Sequence, residues 1–239
     1  MTSGNHLLSL INDILDMSHI ESGKIHLEEE PCSLPDILHE LRNITQADIH
    51  AKQLDLYMDA VDIRHEEVCC DRLRLNQVLL NLLGNAVKYT SAGGMVSLKV
   101  IEKSETLPGY ANYEFHIKDS GIGMSEEFVA RIFEPFERER NSTISGIQGT
   151  GLGMAITKNI VDMMNGSITV KSKQGIGTEF VVSLALRLHE GEKKSPDIPE
   201  LKGFRALVVD DDFNTCDSVT AMLQQIGLRA EWTMSGKEA

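Results

Sequence analysis

An α/β fold is predicted from three features of the 239-residue chain. Helical periodicity and strand-like alternation take turns along it. Residues 71–90 form a long and largely apolar helical pattern. The runs "GGMVSLKVIEK", "NYEFHIKDS" and "SITVKSKQGIGTEFVVSLAL" read as strands, the last as a hairpin.

The elements follow in order. Over residues 5–22, Leu7, Leu8, Ile11, Ile14, Leu15 and Met17 recur at three- and four-residue steps, a helix that "SGK" at 22–24 stops. "EEEPCSLPD" interrupts, and 35–51 is helical again. "LDLYMDA" alternates like a strand. After the 71–90 helix and two strands, "SEEFVARIFEPF" opens on a serine cap. Residues 138–153 hold four glycines and few apolar residues, as a loop does. "GMAITKNIVDMM" is a helix closed by Asn165-Gly166, and the hairpin follows. "HEGEKKSPDIPE" is a polar linker. Beyond it, "FRALVVDDD" reads as a buried strand and "NTCDSVTAMLQQIG" as a helix.

A net charge of −13 argues against nucleic acid or an anionic membrane as partner, so an anionic ligand needs a local positive site. No apolar run is long enough to span a bilayer, and no signal peptide opens the chain. The cysteines Cys32, Cys69, Cys70 and Cys216 lack metal-ligand spacing and read as reduced thiols in a cytoplasmic protein.

On the 71–90 helix, Arg74, Gln77, Asn81, Asn85 and Lys88 fall on one strip about 80° wide. Leu75, Val78, Leu79, Leu82, Leu83, Ala86 and Val87 cover most of the rest. A solvated edge usually carries Glu, Lys and Ser. Two asparagines and a lysine at these steps suit Mg²⁺ and phosphate instead, as amide oxygens and a point charge. Two glycine clusters, "DSGIGM" after a strand and "GTGLGM" opening a helix, let backbone N–H groups approach a phosphate. The second is no dinucleotide fingerprint, because no buried strand precedes it, and a P-loop is absent.

Taken in order, "NQVLLNLLGNAVKYT", "KDSGIGM", "FEPFER", "GTGLGM" and "GIGTEF" resemble the N box, first glycine box, F box, second glycine box and final hairpin of sensor histidine kinases. The resemblance runs from residue 1 to about 188. It implies a two-layer α/β sandwich of the histidine-kinase ATPase type, with ATP held among its helices under a flexible lid. It also implies roles. Asn85 coordinates Mg²⁺, Asn81 and Lys88 face the phosphates, and Asp119 accepts a hydrogen bond from the adenine amino group. Gly121 and Gly123 turn the chain beneath the base, Phe133 and Phe136 anchor the lid, and Gly149, Gly151 and Gly153 wrap the phosphates. Thr178 helps hold the adenine through water. Tyr89, Met124, Thr150, Leu152 and Met154 lie within the same boxes and join the ATP-binding set. Related ATPases such as gyrase, Hsp90 and MutL place a glutamate, the general base for water, where this chain has Asn81. An amide cannot take that proton, which favours kinase over hydrolase.

Two histidines invite attention. "HELRNITQ", with His39, is similar to the family's phosphoacceptor pattern but lacks its Pro-Leu. "HLLSLINDILDMSHIESGK", with His19, resembles the second helix of the dimerisation hairpin. Both read as surface or packing histidines, and the acceptor is expected upstream. "FRALVVDDDFNT" resembles the first strand of a receiver domain, with Asp210 and Asp211 in an incomplete Mg²⁺ pocket. Residues 204–239 are too few for a whole receiver, so poor order or docking elsewhere is expected of them.

The expected organisation is residues 1–28 as a dimerisation helix, 29–190 as the ATP-binding catalytic domain, 191–203 as linker and 204–239 as the start of a receiver, a β-α-β piece. The expected function is the Mg-ATP-binding portion of a hybrid sensor histidine kinase in a two-component phosphorelay. It transfers the γ-phosphoryl to a histidine on a dimerisation helix, is homodimeric when full-length, and autophosphorylates little as this chain alone. The cofactors are ATP and Mg. The parent protein is cytoplasmic or membrane-anchored upstream, with no membrane contact by this part. The alternatives are a nucleotide-binding regulatory module without catalysis, or an ATP hydrolase.

Overall fold

The computed structural model describes residues 11, 14–18, 27–61, 63–137, 150–189, 201 and 203–236. They fall into two units, residues 1–189 and 190–239.

In the first unit, strands β1 (Glu30–Ser33), β2 (Asp55–Val61), β3 (Glu67–Cys70), β4 (Met95–Leu107), β5 (Tyr110–Asp119), β6 (Ser167–Lys173) and β7 (Gly177–Leu188) share one sheet. Its order is β1-β3-β7-β5-β4-β2, with β6 beside β7. β2 pairs with β4 in parallel, and the other ladders are antiparallel. Strand alternation makes it two-faced. Ala111, Tyr113, Phe115 and Ile117 of β5 are buried, whereas Glu114 and His116 meet Lys103 and Glu179 on the other face.

Four helices accompany the sheet: α1 (Leu34–Lys52), α2 (Arg72–Tyr89), α3 (Glu126–Val129) and α4 (Gly153–Met163). α2 lies between α1 and α4 and against β4 and β5, so it is the middle of the helical layer. The seven residues expected to be buried on it are all buried. This is the expected two-layer α/β sandwich. A helical segment also spans residues 14–18, where Met17 packs on the core. His19 and the stop at 22–24 lie outside the described residues.

Side chains start three of the helices. Ser33 accepts from Asp36 N–H, Asp71 Oδ1 from Arg74 N–H at 2.9 Å, and Ser125 Oγ from Phe128 N–H. α4 begins at Leu152 with no side-chain cap. The sequence reading missed β1 and β3. β1 has four residues, one of them Pro31, which is tolerated because β1 is the sheet's edge.

In the second unit, β8 (Arg205–Val209), α5 (Phe213–Gln225) and β9 (Arg229–Thr233) form a parallel β-α-β unit. Residues 203–236 have regular structure of their own rather than the poor order that was one of the two expected outcomes, and β8 is not the buried strand that was expected. Leu207 is 50% exposed, because two strands and one helix leave one face of the sheet open.

Candidate functional site

The polar edge of α2 divides into two halves with different partners. In its N-terminal half, Gln77 Nε2 donates to Asp16 Oδ2 at 2.8 Å, and Arg74 meets the same carboxylate at 3.5 Å. Those two residues hold the 14–18 helix. In the C-terminal half, Asn81 and Asn85 face the first turn of α4, and Lys88 follows on the same edge.

Asn81 Nδ2 donates to Gly153 O at 2.6 Å and to Thr157 Oγ1 at 3.0 Å. A Cβ on Gly153 would sit 2.8 Å from the Asn81 amide, so glycine is what allows this approach. One turn on, Asn85 Nδ2 lies 3.3 Å from the Met154 sulfur, a weak acceptor. The Lys88 ammonium lies 5.1 Å from the Tyr89 ring centroid, within cation–π range. Thr150 Oγ1 accepts from Leu152 N–H, while Leu152 itself is buried. The uncapped N–H groups of α4 give this turn positive potential.

Asp119 ends β5 and is buried. Gly121 N–H donates to its Oδ1 at 2.8 Å, and Thr178 N–H also donates to it. Loss of water outweighs both bonds and raises the carboxyl above the usual aspartate range. Thr178 Oγ1 shares a 2.9 Å hydrogen bond with Ser172 Oγ, which accepts from Met124 N–H. The first glycine turn is pinned by main chain. Ile122 N–H reaches Tyr89 O, and Gly175 N–H reaches Ile122 O at 2.7 Å. Gly123 has φ +64°, and a Cβ there would meet Lys173 O at 2.0 Å.

Phe133 packs against the core. Phe136 is 70% exposed and its φ is +64°. It acts through its backbone, donating N–H to Gly151 O at 3.0 Å. That bond joins the F box to the second glycine cluster. Gly149 lies outside the described residues.

Three contributors were not found from sequence. Lys52 Nζ donates to Val87 O and Lys88 O at 2.8 Å and to Thr90 O at 3.2 Å, closing the C-terminus of α2. Ser172 and the Gly153 carbonyl are the others. A lysine at a helix end is a weak signal, and a carbonyl gives none.

His39 is an exposed residue of α1. At the acidic strand end, Asp210 Oδ1 accepts from Asp212 N–H, and Asp212 accepts from Thr215. Asp211 is exposed, and among the described residues no group of three or more His, Cys, Asp or Glu could hold a metal.

The sheet order, its covering helices and the glycine turns between them define an α/β sandwich of a known class. Residues 70–188 match the family of histidine kinase-, DNA gyrase B- and HSP90-like ATPases, and the chain belongs to it. Within that class it is similar to sensor kinases. It is 32% identical over 247 residues to the autoinducer 2 sensor kinase/phosphatase LuxQ of Vibrio harveyi, covering 99% of this chain and 28% of that one. It is 36% identical over 228 residues to the sensor protein GacS of Pseudomonas syringae pv. syringae, covering 95% and 25%. The full-length ShkA crystal structure in complex with AMPPNP superposes with a TM-score of 0.65 at 26% identity, covering 99% of this chain and 47% of ShkA. The chain thus spans about a quarter of the length of these curated relatives.

Proposed function

We propose that this chain is the ATP-binding catalytic portion of a two-component hybrid sensor histidine kinase. It binds Mg-ATP at the α2–α4 junction and supports transfer of the γ-phosphoryl to a histidine on a dimerisation helix. One observation carries the reading: two asparagines on the edge of a buried helix abut the single uncapped helix start among the described helices of the first unit. That juxtaposition sets amide oxygens and free N–H donors together, as a magnesium-bound polyphosphate requires.

The residues present fit such a ligand. Asn85 has an amide oxygen to offer Mg²⁺ and only a thioether on its NH₂. When bound, the metal supplies charge neutralisation between the phosphates. Asn81 orients the first turn of α4, with Lys88, Thr150, Gly151 and Gly153 around the phosphates, and Gly149 is assigned with them. Asp119 accepts a hydrogen bond from the adenine amino group, because a buried carboxylate fixed by two N–H donors can be aimed. Thr178 stands beside it, and Gly121, Gly123, Met124 and Tyr89 line the same side. Phe133 and Phe136 are assigned as lid anchors, and Leu152 and Met154 belong to the ATP-binding set.

The Asn81 amide donates toward Gly153 and Thr157 and has no proton-accepting role toward water, which favours transfer over hydrolysis. The organisation into dimerisation helix, catalytic domain, linker and receiver start belongs to this proposal, as do homodimerisation, cytoplasmic placement and the incomplete metal pocket of Asp210 and Asp211. The test is calorimetric titration with Mg-ATP, then labelled-phosphate transfer to a dimerisation hairpin supplied in trans. Binding with transfer supports the kinase. Binding with phosphate release supports a hydrolase, binding alone supports a regulatory module, and no binding overturns all three.

A further inference from the structure

We propose that Cys32 and Cys70 are a redox-active dithiol that peroxide oxidises to a disulfide between β1 and β3. Their sulfurs are 2.7 Å apart, about 0.7 Å from bonding distance. The register pairs Glu30 with Cys70 and Cys32 with Val68, which makes the two cysteines diagonal neighbours on one face of the ladder. Cys32 is 5% and Cys70 2% exposed. Cys69 points to the opposite face, 3.9 Å from His189 Nδ1, and has no such partner.

Buried thiols are ordinarily inert, so reactivity needs a thiolate and an access route. Cys70 Sγ–H stabilises a Cys32 thiolate by hydrogen bonding, reinforced by the Arg72 charge and opposed by burial. The same contact holds Cys70 protonated. Access comes from β1 itself: a four-residue edge strand with one neighbour peels at low cost.

The chemistry balances without a cofactor. The Cys32 thiolate attacks one oxygen of hydrogen peroxide, the O–O bond breaks, and the released hydroxide is protonated to water. The Cys70 sulfur then attacks the sulfenic acid at Cys32. Its proton leaves with the hydroxyl as a second water. Two thiols are oxidised and one peroxide reduced.

The bond would tie together the two strands that lead into α1 and α2. Ser33, next to Cys32, caps α1, and Asp71, next to Cys70, caps α2. Glu28 N–H already reaches Asp71 Oδ2 at 3.1 Å. Oxidation therefore tethers the chain entering the domain at the foot of the helix that carries Asn81 and Asn85.

The experiment treats the folded protein with hydrogen peroxide, alkylates the remaining thiols and identifies linked peptides by mass. The expected product joins Cys32 to Cys70, is lighter by about 2 Da, and is restored by dithiothreitol. Cys69 and Cys216 stay as thiols. The oxidised protein melts higher by roughly 5–10 °C. With Cys70→Ser, Cys32 stops at a sulfenic acid trapped by dimedone; with Cys32→Ser, Cys70 gives no adduct. Linkage only in urea, or equal yields among all four cysteines, overturns the proposal. Both are read on the unsubstituted protein, so a variant that fails to fold does not blunt the test.

Discussion

Asn81 and Asn85 are the same residue type, one helical turn apart on the same edge, yet their surroundings assign them different work. Replacing Asn81 with alanine removes two hydrogen bonds, at 2.6 and 3.0 Å, between α2 and α4. Each has a net value of about 1 kcal/mol. Thr157 recovers part of the loss, since its hydroxyl can turn to the carbonyl four residues back, which is Gly153. A cost of about 1.5 kcal/mol remains, equivalent to a melting point roughly 3–6 °C lower for a domain of this size. Replacing Asn85 removes one contact to a thioether and should cost less than about 0.5 kcal/mol.

Nucleotide binding should reverse that ranking in its dependence on metal. Asn85→Ala should weaken Mg-ATP binding about 30-fold, near 2 kcal/mol, and leave binding in EDTA almost unchanged. Asn81→Ala should weaken both by similar factors, because it frees the α4 turn that meets the phosphates. Calorimetry with and without magnesium, alongside thermal melts, reads both quantities. The reasoning fails if Asn85→Ala destabilises the fold as much as Asn81→Ala. It fails too if magnesium makes no difference to the Asn85→Ala defect.

Three further outcomes follow from the same structure. Burial raises the Asp119 carboxyl, so its folded pKa exceeds its unfolded one: its favourable contribution is full below the unfolded value and is lost as pH rises through the folded value. Asp119→Asn should flatten that slope in urea unfolding as pH rises above the ordinary aspartate range and lower the preference for ATP over GTP at least about tenfold; an unchanged slope refutes it. Gly123→Ala, at φ +64° against Lys173 O, should destabilise by about 2–3 kcal/mol, whereas Gly84→Ala, with nothing within 4 Å, should stabilise by about 0.5–1 kcal/mol, both read by denaturant midpoint. Lys52→Met strips the cation from three carbonyls at the end of α2 and should lower the melting point by roughly 3–6 °C, with Lys52→Arg recovering part of it.

The α2 helix was legible because its signal is local. Seven apolar residues at helical spacing can bury only one way, and the amides left on the strip are conspicuous there. The glycine turns were legible for the same reason. What the chain conceals is pairing at a distance. Nothing near residue 30 announces that it will pair with residue 70, and four residues with a proline carry too little alternation to mark a strand. Arg74 and Gln77 looked like part of the ligand strip, but Asp16, 58 and 61 residues away in sequence, claims them. The Cys32–Cys70 contact was hidden in the same way: neither cysteine is near the other until β1 and β3 pair.

The site is built largely from main chain, and that explains why its signature is written in glycines. Asp119 is aimed by the Gly121 N–H, the first turn by Tyr89 O and Gly175 N–H, and the second by Phe136 N–H on Gly151 O. Asn81 completes the set by gripping the Gly153 carbonyl. A main-chain donor cannot be replaced by choosing another residue; only the path of the chain can be kept or lost. Gly121, Gly123, Gly153 and Gly177 each stand where a Cβ would come within 2.8 Å of another atom, so the path survives only without one. A resemblance resting on a few glycines and two amides is therefore a statement about backbone geometry.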